Sequence, residues 1–198
     1  SGAIQQWRNY CCEKKPYKYQ PLPCAWHRTL TLDGYWQSEK YFLKAGRTIA
    51  KDLCLKERRW MEKDEVVQKI QSSEHSVFLH VRRYKEVPGK EDGSSALPMR
   101  YYQQALDYLR AQLGQRLTIF IFSDDLAWAI AQLKKMQGSD GWSFVPVYPL
   151  SPVVEGKKVS AELRDFAIMR LCQHGIVADS SFSWWGGWLG EQDEISKG

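Results

Sequence analysis

From residue 76 onward the chain alternates between short apolar runs, rich in β-branched and aromatic residues, and longer runs with helical spacing, a pattern that predicts β-α units. The apolar runs are Ser76 to Val81, Leu117 to Phe122, Phe144 to Val147 and Gly175 to Ala178. Each is nearly continuous in apolar character, as strands covered on both faces are. Between them, residues 101–113 follow Leu97-Pro98 and carry Ala105, Leu106, Leu109 and Leu113 on one face. Asp124 or Asp125 caps a second helix striped by Leu126, Ala129, Ile130 and Leu133 and ended by Gly138. Ser160 precedes a third containing Leu163, Phe166, Ala167 and residues 169–171, and Ser181 or Ser183 caps a fourth that runs through the tryptophans. Strands alternating with helices in this way predict an α/β class protein with a Rossmann-like parallel sheet.

The preceding residues have a different texture. Tyr10 to Trp26 is rich in Cys, Tyr, Lys and Pro and reads as an irregular or edge segment, while residues 38–55 and 62–70 have helical character. The expected organisation is therefore an N-terminal portion over 1–73, mostly helical and irregular, and a Rossmann-like domain over 74–198. The stretch 87–95, with Pro88-Gly89 and Asp92-Gly93, reads as a loop after the first strand.

Composition narrows the classes. The chain has 198 residues, 43% hydrophobic and 26% charged, an ordinary globular mix that excludes rods and disordered tracts. No apolar run reaches the length of a membrane span, so none is expected. The formal net charge of +5 suits an anionic ligand, but the basic residues are interleaved with carboxylates, as in Glu62-Lys63-Asp64-Glu65, and no nucleic-acid partner is expected. Five cysteines include no C-x-x-C pair, and the four histidines show no ligand spacing, so no metal site is expected. Free thiols are the default, with a disulfide among Cys11, Cys12 and Cys24 open in an oxidising compartment. Nine tryptophans, three of them in Trp184-Trp185-Gly186-Gly187-Trp188, supply core and also suit sugar faces.

In an open parallel sheet, ligands bind beyond the carboxyl ends of the strands. Those ends are polar here: His80-Val81-Arg82-Arg83 after the first, Ser123-Asp124-Asp125 after the second, Asp179-Ser180-Ser181-Phe182-Ser183 after the fourth. A guanidinium fork, a serine-rich turn entering a helix and a nearby acid suit a nucleoside diphosphate. Alternation along a strand puts His80 and Arg82 on one side and Val81 and Arg83 on the other, which makes Arg82 the phosphate candidate and Arg83 the candidate for a structural ion pair. Taken singly, Asp124, Ser181 and Ser183 also read as helix caps, and His80 as a core histidine. Neither G-x-G-x-x-G nor a P-loop occurs.

His80-Val81-Arg82-Arg83, Phe122-Ser123-Asp124-Asp125, the block from Asp165-Phe166 to Cys172-Gln173-His174, and Ala178 through Trp185 together resemble the α1,2-fucosyltransferases, and Leu32-Asp33-Gly34-Tyr35-Trp36 through Phe42 is similar to a block those enzymes have upstream. The resemblance implies a GT-B type glycosyltransferase, here with an incomplete N-terminal portion. It implies transfer of L-fucose from GDP-fucose to the 2-hydroxyl of a galactoside oligosaccharide acceptor, with inversion and with no metal or other cofactor. Arg82 would be the catalytic residue that holds the pyrophosphate. His80 and Asp165 would read the guanine edge, Arg83, Asp124 and Asp125 would contribute to the donor site, and Ser180, Ser181 and Ser183 would hold phosphate oxygens. A bacterial, cytoplasmic setting is expected ahead of a Golgi lumen. The chain departs from the family's H-x-R-R-G-D-Y pattern, since Arg83 is followed directly by Tyr84, and it lacks the family's G-x-G-N-Q segment. A tryptophan-rich sugar-binding module and an inactive GDP-binding relative are the alternatives.

Overall fold

The computed structural model describes residues 10–15, 18–22, 30–53, 58–90, 92–93, 95–114, 116–136 and 142–195. The chain forms two compact units, Ser1–Asp52 and Leu53–Gly198.

In the first unit, strands β1 (Tyr10–Cys12) and β2 (Thr31–Asp33) pair in parallel. Two single-turn 3₁₀ helices, Glu39–Tyr41 and Leu43–Ala45, lead into α1 (Gly46–Asp52). The one helix expected over 38–55 is thus interrupted, because Phe42 at φ −129° leaves the helical region. The Tyr41 hydroxyl accepts from the Gln20 amide at 2.9 Å, and the rings of Tyr19 and Trp36 pack against Tyr41. Cys11 and Cys12 are free thiols, and Cys24 lies outside the described residues.

The second unit begins with a 3₁₀ segment, Arg59–Lys63, followed by α2 (Glu65–Gln71). Asp64 separates them and caps α2, its carboxylate accepting from the amides of Val66 at 2.9 Å and Val67 at 3.3 Å. The chain then alternates through β3 (His75–Val81), α3 (Met99–Leu113), β4 (Leu117–Ser123), α4 (Leu126–Leu133) and β5 (Trp142–Pro146). A small hairpin of β6 (Val153–Val154) and β7 (Lys157–Lys158) follows, then α5 (Ala161–Met169), β8 (His174–Ile176) and α6 (Ser181–Ile195). The strands β3, β4, β5 and β8 form one parallel sheet in the order β5-β4-β3-β8. The expected strands and helices are present, with shifted ends. β8 stops at Ile176 because the Val177 carbonyl accepts from the Tyr101 hydroxyl and the Ala178 amide donates to Ser183 Oγ, which removes both residues from the ladder. α4 ends at Leu133, and Gly138 lies outside the described residues.

Alternation along the strands sorts the core onto two faces. Val77, Leu79, Val81, Ile119 and Ile121 pack with Tyr102 and Leu106 of α3 and Ala129 and Leu133 of α4. Phe78, Phe120 and Phe122 face the other way, onto Trp60, Val67, Ile70 and the α5 residues Ala167, Ile168 and Met169. Residues 58–71, expected with the N-terminal portion, pack against this sheet within the unit Leu53–Gly198. Arg164 of α5 holds them there. Its side chain is buried, with Nε 2.7 Å and Nη2 3.2 Å from the two oxygens of Asp64 and Nη1 3.2 Å from the Tyr148 carbonyl.

Two buried charges that satisfy each other leave an uncompensated ion when either is removed. Asp64→Ala is expected to cost about 3–5 kcal/mol of unfolding free energy, and the apolar pair Asp64→Leu with Arg164→Met less than either single change. Chemical denaturation checks this; a loss below about 1 kcal/mol for Asp64→Ala marks the pair as solvated.

Candidate functional site

The winding of the sheet reverses at β3: successive strands run outward through β4 to β5, then return to lie on the other side of β3 as β8. In open α/β sheets ligands bind beyond the carboxyl ends of the strands at such a reversal, here β3 and β8. Of the sequence-predicted residues, His80, Arg82, Arg83, Asp124, Asp125, Ser180, Ser181 and Ser183 lie in or just after β3, β4 and β8 and at the start of the helices that follow them, and Asp165 lies on α5.

His80, the penultimate residue of β3, shares a face with Phe78 and lies against Phe182 in the first turn of α6, ring centroids 5.9 Å apart. It is 6% exposed, and its Nδ1 is buried without a hydrogen-bond partner among the described residues. Burial, helped by the neighbouring Arg82 charge and opposed by Asp124, lowers its pKa to about 4, so the imidazole is neutral at pH 7. A neutral imidazole keeps one donor and one acceptor nitrogen, so the unmatched Nδ1 retains the capacity for one further hydrogen bond.

Arg82 follows on the same side. Its Nη1 lies 3.1 Å from Asp124 Oδ2, its Nη2 pairs with Glu86, and its guanidinium sits 5.0 Å from the centre of the Tyr84 ring. Arg83 points the other way and is a structural ion pair, as alternation predicts: Nη1 is 2.7 Å from Asp125 Oδ2, Nη2 donates to the Asp92 carbonyl, and the guanidinium stacks 4.3 Å from the Trp128 ring. Gly93 is required beside it, since a Cβ there would lie 2.5 Å from Arg83 Nη2 and the residue has φ +71°.

The acids behave differently from the expectation of direct donor contacts. Asp124 accepts from the amides of Arg83 and Tyr84, each at 2.8 Å, as well as from Arg82, so its carboxylate fills the concave turn after β3 and fixes Arg82. Asp125 caps α4 through the Trp128 amide and pairs with Arg83 and Lys85. Desolvation pushes its carboxyl up, but the hydrogen bonds from Lys85, Arg83 and Trp128 outweigh it and hold the group below the ordinary range. Asp165 lies on α5, half-buried and 3.4 Å from Arg164, and burial raises its pKa to about 6 against the pull of that arginine. Its neighbour Phe166 packs on Phe182, which packs on His80, so α5 reaches the same aromatic cluster.

At the β8 end, Ser180 is half-buried and its carbonyl starts α6 by accepting from the Trp184 amide, while Ser181 opens the helix at the surface. Ser183 departs from its expected role: it is 0% exposed, and its Oγ accepts from the Ala178 amide and donates to the Ser180 carbonyl. It shapes the turn from inside. Tyr84 closes the circuit, its hydroxyl donating to the Asp179 carbonyl and joining the β3 loop to the β8 loop. Sequence reasoning did not single out Tyr84, which acts from an aperiodic loop, nor the Asp64–Arg164 pair, whose members are 100 residues apart. Among the described residues no group of three or more His, Cys, Asp or Glu side chains is arranged to hold a metal ion, and no helix is long and apolar enough to cross a membrane.

The family model described as Glycosyl transferase family 11 matches residues 5–196. The chain is 32% identical over 117 residues to the O-antigen biosynthesis glycosyltransferase WbnK of Escherichia coli, covering 58% of this chain and 34% of that protein. It is 29% identical over 166 residues to an alpha-1,2-colitosyltransferase of Escherichia coli, covering 81% and 51% respectively. It is 27% identical over 196 residues to galactoside alpha-(1,2)-fucosyltransferase 2 of Pongo pygmaeus, covering 96% and 53%. The chain thus spans about half the length, or less, of these relatives. No solved structure matches. A match over nearly the whole chain, on a sheet whose strand ends carry the motifs that resemble the α1,2-fucosyltransferases, establishes that the chain belongs to glycosyl transferase family 11.

Proposed function

We propose that this chain carries the donor side of a GT-B type, inverting, metal-independent α1,2-fucosyltransferase that moves L-fucose from GDP-fucose to the 2-hydroxyl of a galactoside. One observation carries the reading: Arg82, just after β3, rests on the Tyr84 ring, and the Tyr84 hydroxyl donates to the Asp179 carbonyl, two residues before α6, so the loop after β3 and the turn after β8 are tied together. Family membership and the relatives named for fucosyl and colitosyl transfer support it.

In this reading the diphosphate lies between the Arg82 guanidinium and the amides that open α6, where the helix dipole and a fixed cation both favour negative charge. The nucleobase enters the pocket of His80 and Asp165. The acceptor oxygen attacks the anomeric carbon from the face opposite the leaving group, the bond from that carbon to the diphosphate oxygen breaks with its electron pair staying on GDP, and the acceptor hydroxyl's proton passes to a phosphate oxygen of that departing GDP. Arg82 stabilises the charge that develops there, and a fixed donor of this kind is worth about 2.7–4 kcal/mol in the transition state.

Arg82→Ala is therefore expected to remove most GDP affinity by calorimetry and to lower fucosyl transfer to a lactose-like acceptor by about 100- to 1000-fold. Equal GDP affinity in parent and variant rejects the reading. Galactoside binding indifferent to GDP would instead favour a sugar-binding module, and GDP binding without release of GDP from GDP-fucose an inactive relative.

The Asp165 carboxyl gives a second check. Hydrogen bonds from a base edge favour its ionised form, so the bound state has the lower pKa and GDP affinity falls as pH drops through about 6. The folded state does not weaken through this group, because a raised carboxyl pKa makes acidification from 6 toward 4 stabilising at Asp165; His80, held at about 4, has the opposite sign and loses stability as pH falls below 6.5. Calorimetric titrations between pH 5.5 and 7.5, roughly bracketing that value, should show this loss in the parent and a flat profile in Asp165→Asn.

A further inference from the structure

Tyr84 has φ +60°, in the left-handed region that a bulky residue adopts only when its surroundings impose it. Here they do. The Tyr84 amide donates to Asp124 Oδ2 and the preceding amide to Asp124 Oδ1, both at 2.8 Å, and this turns the side chain across the crevice toward β8. The phenol then makes two kinds of contact. Its hydroxyl donates to the Asp179 carbonyl, one residue before the Ser180 turn, and its ring lies 5.0 Å from both the Arg82 guanidinium and the Lys90 ammonium. Nothing in the packing of the core calls for this conformation, since Tyr84 lies on the rim, half-buried.

We infer that Tyr84 is the positioning residue of the diphosphate seat: it holds Arg82 and Lys90 on one aromatic ring and ties the β8 turn to the β3 loop, so that both walls of the seat are set before ligand arrives. The inference rests on the proposed diphosphate reading of the crevice and adds Lys90 to it as a second cation. The ring attracts the cations through its negative face, and the hydroxyl fixes the carbonyl whose peptide leads into the amides of α6. Preorganisation of this sort acts on the phosphates and leaves the nucleoside alone.

Four proteins and two ligands test it: the parent, Tyr84→Phe, Tyr84→Leu and Tyr84→Gly, each titrated with GDP and with guanosine and followed by thermal unfolding. Removing the ring in Tyr84→Leu is expected to weaken GDP about tenfold, the scale of a cation–π contact, and Tyr84→Phe to weaken it by a smaller factor through loss of the tie alone. Guanosine affinity should be unchanged throughout. Tyr84→Gly relieves the backbone conformation, so it should unfold no earlier than the parent while losing GDP affinity at least as strongly as Tyr84→Leu, a combination that a merely structural tyrosine does not produce. Equal GDP affinity in parent and Tyr84→Leu, or a parallel loss for guanosine, overturns the role of Tyr84 while leaving the crevice reading intact. A parent that binds no GDP overturns both.

Discussion

The geometry of the rim depends on one aromatic ring resting on two glycines. Phe78, in the middle of β3, stands in register with Gly175 of β8, and a Cβ on Gly175 would lie 2.2 Å from the ring. Gly187 of α6 meets the same ring, its own Cβ position 3.4 Å away. Because Gly175 has no side chain, β8 can close on β3, and Gly187 keeps α6 within ordinary contact of the same ring. That closeness puts the start of α6 beside His80. A side chain at Gly175 would push the β8 turn away from Arg82, so a packing constraint inside the sheet governs the geometry at its edge. Gly190 extends the same logic along α6, where a Cβ would lie 2.9 Å from the Arg170 carbonyl.

The elements were legible in the sequence wherever hydrophobic periodicity set them. Strand runs such as Leu79 and Ile119 to Phe122 declare burial on both faces, and Ser160 and Asp125 announce helices they do cap, through the amides of Leu163 and Trp128. Alternation also separated Arg82 from Arg83 correctly in orientation, because side-chain direction along a strand has a fixed period. Boundaries set by side-chain hydrogen bonds were not legible: no local pattern tells that Ser183 Oγ will take the Ala178 amide and end β8 early. The same holds for Asp64, which looks like one more charge in a mixed run until Arg164, distant in sequence, is brought against it. Within the candidate site the residue types could be read from the strand ends, whereas the division of labour among them could not. Asp124 reads as a ligand contact by position and serves as the internal anion of a turn, a role decided by where the Arg83 and Tyr84 amides point.

That internal anion bears on how the rim would admit a ligand. Arg82 is held by two acids of unequal grip. Asp124 is 13% exposed at its side chain and receives two backbone amides besides the guanidinium, so removing it takes the acceptor from three donors at once. Glu86 is 54% exposed and meets Arg82 from the solvent side. Exposed pairs of this kind contribute only about 0–1 kcal/mol, so under the proposed reading an incoming diphosphate, with more charge and more acceptor oxygens, would displace Glu86 at little cost and leave Asp124 in place. One edge of the guanidinium is thus fixed by the protein while the other is exchangeable. In the proposed reaction such an arrangement would keep the cation from following its ligand out of position, which is the condition for stabilising charge that appears only as the leaving bond breaks.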